Sequence, residues 1–191
     1  MANKIKYGLS RVYYALATIN SSTGAATYGT PVAIPGAVSL SMDPSGESNA
    51  FYADNIAFAK FAANAGYEGE LEVALVPDSF RQDVLGEVLD STSKIQLEKA
   101  AASTQPFALL FQFEGDDDAT RHVFYNCTAA RPNVGSKTTD ESVEVQTETI
   151  NITCGSVFNA VLDDNIVKGK ISDDTAAAYT NWFTAVQQPT S

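Results

Sequence analysis

The stretch Tyr67-Glu68-Gly69-Glu70-Leu71-Glu72-Val73-Ala74-Leu75-Val76 decides how the chain reads. Successive side chains of a strand point to opposite faces, so period-two alternation puts Glu68, Glu70 and Glu72 on one face and Leu71, Val73 and Leu75 on the other. A strand of this kind is half-buried, with one dry face and one wet face. It belongs in an antiparallel sheet, because parallel strands are buried on both sides.

Working outward, the residues on either side read as more strands. Residues 10–19, with Val12, Tyr13, Tyr14 and Ile19, are aromatic and β-branched and stop at the polar cluster 20–24. Pro35-Gly36 interrupts the apolar segment 31–42, since proline donates no ladder hydrogen bond; a short extended piece, a kink and a strand over 37–42 are predicted. Asp43-Pro44-Ser45-Gly46 reads as a turn. Beyond it, 51–61 reads as extended with alanine-rich spacing that also suits a helix.

Downstream, Pro77-Asp78-Ser79 opens a short helix, capped by Asp78 or Ser79, with Phe80, Val84, Leu85 and Val88 at helical spacing. Strands are predicted at 94–98, 106–114, 120–130 and 143–154. Phe107, Leu109, Phe111 and Phe113 share a face of the second, and Gly115-Asp116-Asp117-Asp118 turns it into the third. In the last strand Glu144, Gln146 and Glu148 share a face. A helix capped by Ser172 or Asp173 carries Tyr179, Trp182, Phe183 and Val186. The fold class expected is mostly β: an antiparallel sandwich or barrel with one short internal helix and a C-terminal helix.

Composition narrows the function. With 191 residues, 45% of them hydrophobic, the chain fits one domain better than two. We read a single domain over 1–191, with an extended arm at about 43–61 and a C-terminal helical segment at about 172–187. A net charge of −11 leaves no cationic excess with which to grip a polyanion. No apolar run follows Lys4 and Lys6, and no stretch of about 18 apolar residues occurs, so neither a secretion signal nor a membrane anchor is expected. Cys127 and Cys154 are too few and too isolated for a disulfide framework or a metal motif, and two free, buried thiols are expected.

No motif for chemistry survives inspection. His122 is the only histidine and lies mid-strand without a sequence partner. Asp116-Asp117-Asp118 lacks the alternating pattern and closing glutamate of a calcium loop and reads as a solvated hairpin tip. The ladder Glu68, Glu70, Glu72 reads as a solvated strand face rather than an acid/base pair or metal cluster. No enzyme activity, cofactor, catalytic residue or metal site is expected.

The order of several short words is more specific than any one of them. Lys6-Tyr7-Gly8-Leu9 leads to Val12-Tyr13-Tyr14, then come Tyr28-Gly29-Thr30-Pro31-Val32-Ala33-Ile34-Pro35-Gly36 and Phe51-Tyr52-Ala53-Asp54-Asn55. Gly66-Tyr67-Glu68-Gly69-Glu70-Leu71-Glu72, Pro77-Asp78-Ser79-Phe80-Arg81, Tyr125-Asn126-Cys127-Thr128-Ala129 and Gln146-Thr147-Glu148-Thr149-Ile150 follow. In this order the chain resembles the major tail protein family, the tail tube subunits of long-tailed bacteriophages and prophages of Gram-positive bacteria.

That resemblance implies a tail tube fold and a structural virion protein. Its subunits would close into hexameric rings that stack into a tube, assembled in the host cytoplasm. The implied partners are further copies of the chain, the tape measure protein inside the tube, tail terminator and distal tail or baseplate proteins at its ends, and double-stranded DNA passing without adhering. Within this reading, the aromatic segment 43–61 is expected to be an assembly arm, with Phe51, Tyr52, Asn55, Ile56, Phe58 and Phe61 at the subunit interface. Glu68, Glu70 and Glu72, continued by Glu144 and Glu148, are expected to face the lumen. The competing class is a secreted or surface β-sandwich that binds carbohydrate, which expects an export signal and a groove with exposed aromatics.

Overall fold

A computed structural model describes residues 4–46, 48–53, 56–62, 64–116, 119–138 and 145–189. In chain order the strands are β1 (Lys4–Ile19), β2 (Ala26–Tyr28), β3 (Val32–Ala33), β4 (Ala37–Ser45), β5 (Ser48–Ala53), β6 (Ile56–Ala62) and β7 (Gly66–Val73). Helix α1 (Asp78–Asp83) follows, then β8 (Val88–Leu89), β9 (Gln96–Leu97), β10 (Phe107–Asp116), β11 (Arg121–Ala129) and β12 (Glu148–Gly155). The chain ends through β13 (Val157–Asn159), β14 (Asp164–Ile166), β15 (Lys168–Ile171) and helix α2 (Ala177–Thr180).

The main sheet is antiparallel and runs β2-β1-β10-β11-β12-β7-β4, with β3 added to β1 and β15 to β11. It curls until β4 comes back alongside β1. The inside of the curl is the larger core, built from Val12, Tyr14, Leu71, Val73, Phe107, Leu109, Ile150 and Ile152, among others. The expected mostly β, antiparallel sandwich-like architecture is the one observed.

Helix α1 covers one end of this core. Phe80, Val84 and Leu85 are buried, and the Phe80 ring meets Tyr14 and Phe107 edge-on at centroid distances of 5.1 Å and 5.5 Å. The Tyr14 hydroxyl donates to Asp83 Oδ2 at 2.8 Å, which satisfies a phenol that burial holds in its neutral form. The helix is shorter than its apolar spacing suggested. It ends at Asp83, Val88 lies exposed in β8, and the residue preceding the helix is Pro77, with no side-chain cap from Asp78 or Ser79. Six residues make so few internal hydrogen bonds that packing, not capping, has to hold the turn.

A second apolar layer covers the outer face of β1, β10 and β11. There Ala15, Ala108, Leu110, Val123 and Tyr125 pack under Trp182, with Phe183 and Val186 beside it. The C-terminal helix expected over 172–187 is confined to Ala177–Thr180, and the apolar residues after it reach the sheet from turns. Arg121 holds this segment. Its Nε donates to Gln112 Oε1 at 3.0 Å, its Nη1 donates to the Tyr179 carbonyl, and its guanidinium lies 3.6 Å over the Tyr179 ring.

Other expectations need correction. The strand that begins at Ala37 runs through the supposed turn to Ser45, which β4 tolerates because it is an edge strand and Pro44 need donate no bond on its open side. Residues 51–53 and 56–61 belong to two strands, β5 paired with β6, and not to one strand or helix. Leu75, assigned to the dry face, lies past the end of β7 and is exposed, while Val76 is buried in its place. The 94–98 strand shrinks to β9, and β13, β14 and β15 have no counterpart in the sequence reading.

The cysteines are the clearest correction. They are buried as expected but not free: Cys127 and Cys154 stand directly opposite each other on β11 and β12, with Cα atoms 4.1 Å apart, and form a cross-strand disulfide. Antiparallel pairing cancels their 27-residue separation, which sequence spacing alone does not reveal.

Replacing Phe80 with alanine removes the plug of the larger core. Urea denaturation should show a loss of about 3–5 kcal/mol in unfolding free energy. A change within about 0.5 kcal/mol would mean that α1 is not a structural element of the core.

Candidate functional site

Strand β7 lies between β12 and β4, and its wet face is continuous with theirs. Glu72 stands between Thr149 and Ser39, Glu70 between Asn151 and Ser41, and Glu68 between Thr153 and Asp43. Three strands therefore present a polar lattice with four carboxylates on the outside of the curl, and Leu71 and Val73 hold the opposite face inside the core. A shallow depression runs along it past Ser41, Asp43, Glu68, Glu70, Asn151 and Thr153. Sequence reading found the glutamates but missed their neighbours, although Ser39-x-Ser41-x-Asp43 and Thr149-x-Asn151-x-Thr153 carry the same two-residue period.

Hydroxyl groups on both flanking segments hold the lattice in register. Thr147 Oγ1 donates to Glu72 Oε1 at 2.6 Å, Ser39 Oγ donates to Glu72 Oε2 at 2.9 Å, and Ser45 Oγ donates to Glu68 Oε1 at 3.2 Å. The bond from Thr147, with that from Ser39 second, holds the Glu72 carboxyl below its ordinary value, since both stabilise the ionised form. Gly69 is required on the reverse side, where a methyl group would land on the carbonyl oxygen of Ser41 in the adjoining strand.

The five expected lumen residues part company here. Glu68, Glu70 and Glu72 share the wet face, and Glu144 lies outside the described residues. Glu148 does not share that face. It has the same parity as Ile150 and Ile152, stands beside Val73, and turns toward α1. Its carboxylate takes Arg81 Nη2 at 2.9 Å and 3.0 Å and the Val76 amide at 2.7 Å. The expectation that Glu148 continues the acidic belt is therefore replaced by a tie between β12 and α1. The cause is register: Val73 and not Glu72 stands opposite Glu148.

Of the expected interface residues, Phe51, Tyr52, Ile56, Phe58 and Phe61 fall on the hairpin β5–β6, and Asn55 lies outside the described residues. This hairpin forms a sheet of its own, separate from the main sheet. It extends the β4–β7 ribbon beyond the pair Ser45 and Gly66.

His122 stacks on Phe111 at a centroid distance of 5.2 Å, in an aromatic group with Phe113. Among the described residues no group of three or more histidine, cysteine or acidic side chains is placed to hold a metal ion, and no helix is long and apolar enough to cross a membrane.

No family model matches the chain, and no curated protein matches it. Among solved structures it is similar to a chain of the anti-feeding prophage baseplate, determined by cryo-EM with six-fold symmetry. The two are 13% identical, with a TM-score of 0.43 over 87% of this chain and 96% of that one. Likeness at that level assigns no role.

The hydrogen bonds to Glu72 make its titration a direct test of the lattice. Its folded pKa is depressed, so its contribution to stability is present above the unfolded value of about 4.3 and is lost as pH falls through the lower folded value. NMR titration of the side-chain carboxyl should place Glu72 below about 4.3, and Thr147→Val should raise it. No rise would mean that the Thr147 bond is not formed in solution.

Proposed function

We propose that the chain is a tail tube subunit of a long-tailed bacteriophage, a structural and non-enzymatic virion protein that polymerises as stacked rings around a channel. The observation that carries this reading is the outer face of β4, β7 and β12, where Asp43, Glu68, Glu70 and Glu72 stand among hydroxyl and amide groups with the dry core directly behind them. The order of sequence words that resembles the major tail protein family supports it.

Such a face suits a water-filled channel. Carboxylates on neighbouring positions repel each other, and solvent and counterions relieve that repulsion. Turned inward and repeated around a ring, they leave a DNA phosphate backbone no cation to bind, so the duplex slides without adhering. The hydroxyls and amides between them offer hydrogen bonds to water and keep the wall hydrated. Glu148 takes no part, because Arg81 neutralises it at the end of the curl.

In this reading the hairpin β5–β6 is the assembly arm. The tape measure protein occupies the channel before DNA does, and terminator and distal tail proteins close its two ends. The protein then resides in the virion after assembly in the host.

Negative-stain microscopy of the purified protein should show rings or tubes with a central channel. A persistent monomer that binds a glycan would instead favour a carbohydrate-binding module. Glu68→Lys combined with Glu70→Lys should still give tubes, because both side chains are exposed, while phage carrying the pair should eject DNA more slowly. Infection with unchanged kinetics, or a reconstruction with these side chains on the outer wall, would remove the lumen assignment.

A further inference from the structure

Strand β11 divides its length between two partners. Residues 121–124 pair with β15, which leaves only 126–129 to pair with β12. Among the described residues no other ladder joins the ribbon β12-β7-β4, with the polar lattice on its outer face, to the rest of the main sheet. Inside the ribbon the ladders are longer, spanning 148–154 of β12 and 37–45 of β4 against β7. The short β11–β12 ladder is therefore the seam at which local opening would part the sheet.

The two cysteines stand in this seam. They belong to a transverse row, Phe107, Cys127, Cys154 and Tyr67, in which each residue is the direct partner of the next. Both are 0% exposed and pack in the larger core. On the β7 side the backbone is so close that a methyl group at Gly66 would land on the Cys154 carbonyl oxygen.

Such a pair is accommodated in two states. As thiols, both are small apolar side chains, and the Cys127 sulfur lies 3.9 Å from the Phe124 carbonyl oxygen, within range of a weak S–H hydrogen bond. As a disulfide, they join positions that the ladder already holds opposite each other, so neither strand has to move.

We propose that Cys127 and Cys154 are an oxidation site that locks the acidic ribbon to the rest of the sheet after assembly, a dithiol in the host cytoplasm and a disulfide in the released particle. The proposal rests on the tube reading, which supplies the two compartments. A new chain meets the cytoplasmic thiol pool while still unfolded and so folds with its cysteines reduced. Folding then shuts both sulfurs away from bulky thiols and disulfides, while a molecule as small as hydrogen peroxide enters when the seam opens.

One sulfur attacks a peroxide oxygen, the O–O bond breaks, and the thiol becomes a sulfenic acid with release of water. The second sulfur displaces that hydroxyl as a second water and forms the S–S bond. Two electrons pass from the sulfurs to the peroxide, and both thiol protons leave in the waters. The finished bond resists reduction, because an attacking thiolate has to reach a buried sulfur.

The test compares the two redox forms of the wild type. Protein made in a reducing cytoplasm and denatured directly in N-ethylmaleimide should take up the reagent at both cysteines. Folded protein treated with hydrogen peroxide should lose two hydrogens by intact mass, take up none, and stay a single chain on a non-reducing gel. The oxidised form should melt about 10 °C above the dithiol form, and Cys127→Ala with Cys154→Ala should abolish that difference. Dithiothreitol should reduce the folded oxidised protein more than about tenfold more slowly than the unfolded one. A disulfide already present at lysis, oxidation to sulfinic acid or between chains, equal melting temperatures, or equally fast reduction would each overturn the proposal. The tube reading fails differently: neither redox form gives rings or tubes by microscopy, while the melting difference persists.

Discussion

Strand β7 can sit between β12 and β4 in only one register without ruin. A slip of one residue in either ladder would turn Glu70 and Glu72 toward Ile150 and Ile152 and expose Leu71 and Val73 to water. Burying even one unpaired carboxylate costs far more than a lost apolar contact, so the alternation acts as a one-way key. Because the strand is central, it fixes its neighbours too. Ser39, Ser41 and Asp43 on one side and Thr149, Asn151 and Thr153 on the other are brought to the wet face by the same ladder.

The ends of that strand are finished in different ways. At the Val73 end, Glu148 reaches Arg81 and the Val76 amide, locking α1 over the core and giving a partly buried carboxylate both an opposite charge and a backbone donor. The apolar Phe80 plug depends on this tie for its position. At the Gly66 end the ribbon leads on to β5 and β6. The β4–β7 ribbon is therefore followed by α1 and the hairpin β8–β9 at one end and by the hairpin β5–β6 at the other.

The outer layer on β1, β10 and β11 is held by specific polar contacts as much as by burial. Arg121 is almost fully buried between Gln112 and Tyr179, and Trp182 donates from Nε1 to the His122 carbonyl at 3.2 Å. A buried guanidinium is tolerable only because ring and carbonyl partners replace its lost water. The contacts bind the end of the chain to the middle strands, so the last apolar residues cover a face that would otherwise be exposed.

Much of this was determined by the sequence alone. Period-two alternation in the stretch 67–76 identified a strand, most of its dry face and the acidic ladder, because the pleat of a strand is a local property of its backbone, whereas β10 proved to be buried on both faces. Proline and glycine at 35–36 likewise marked the break between β3 and β4. Tertiary structure decided what pairing alone controls. Glu148 was separated from the other glutamates because β12 meets β7 with Val73, not Glu72, opposite it, and Cys127 met Cys154 because antiparallel strands bring distant positions together. The helices shortened because packing against the sheet, rather than apolar spacing, set where each one could end. Strands β13 to β15 escaped notice because segments of three or four residues carry too little periodicity to read and are strands only through the partners they find.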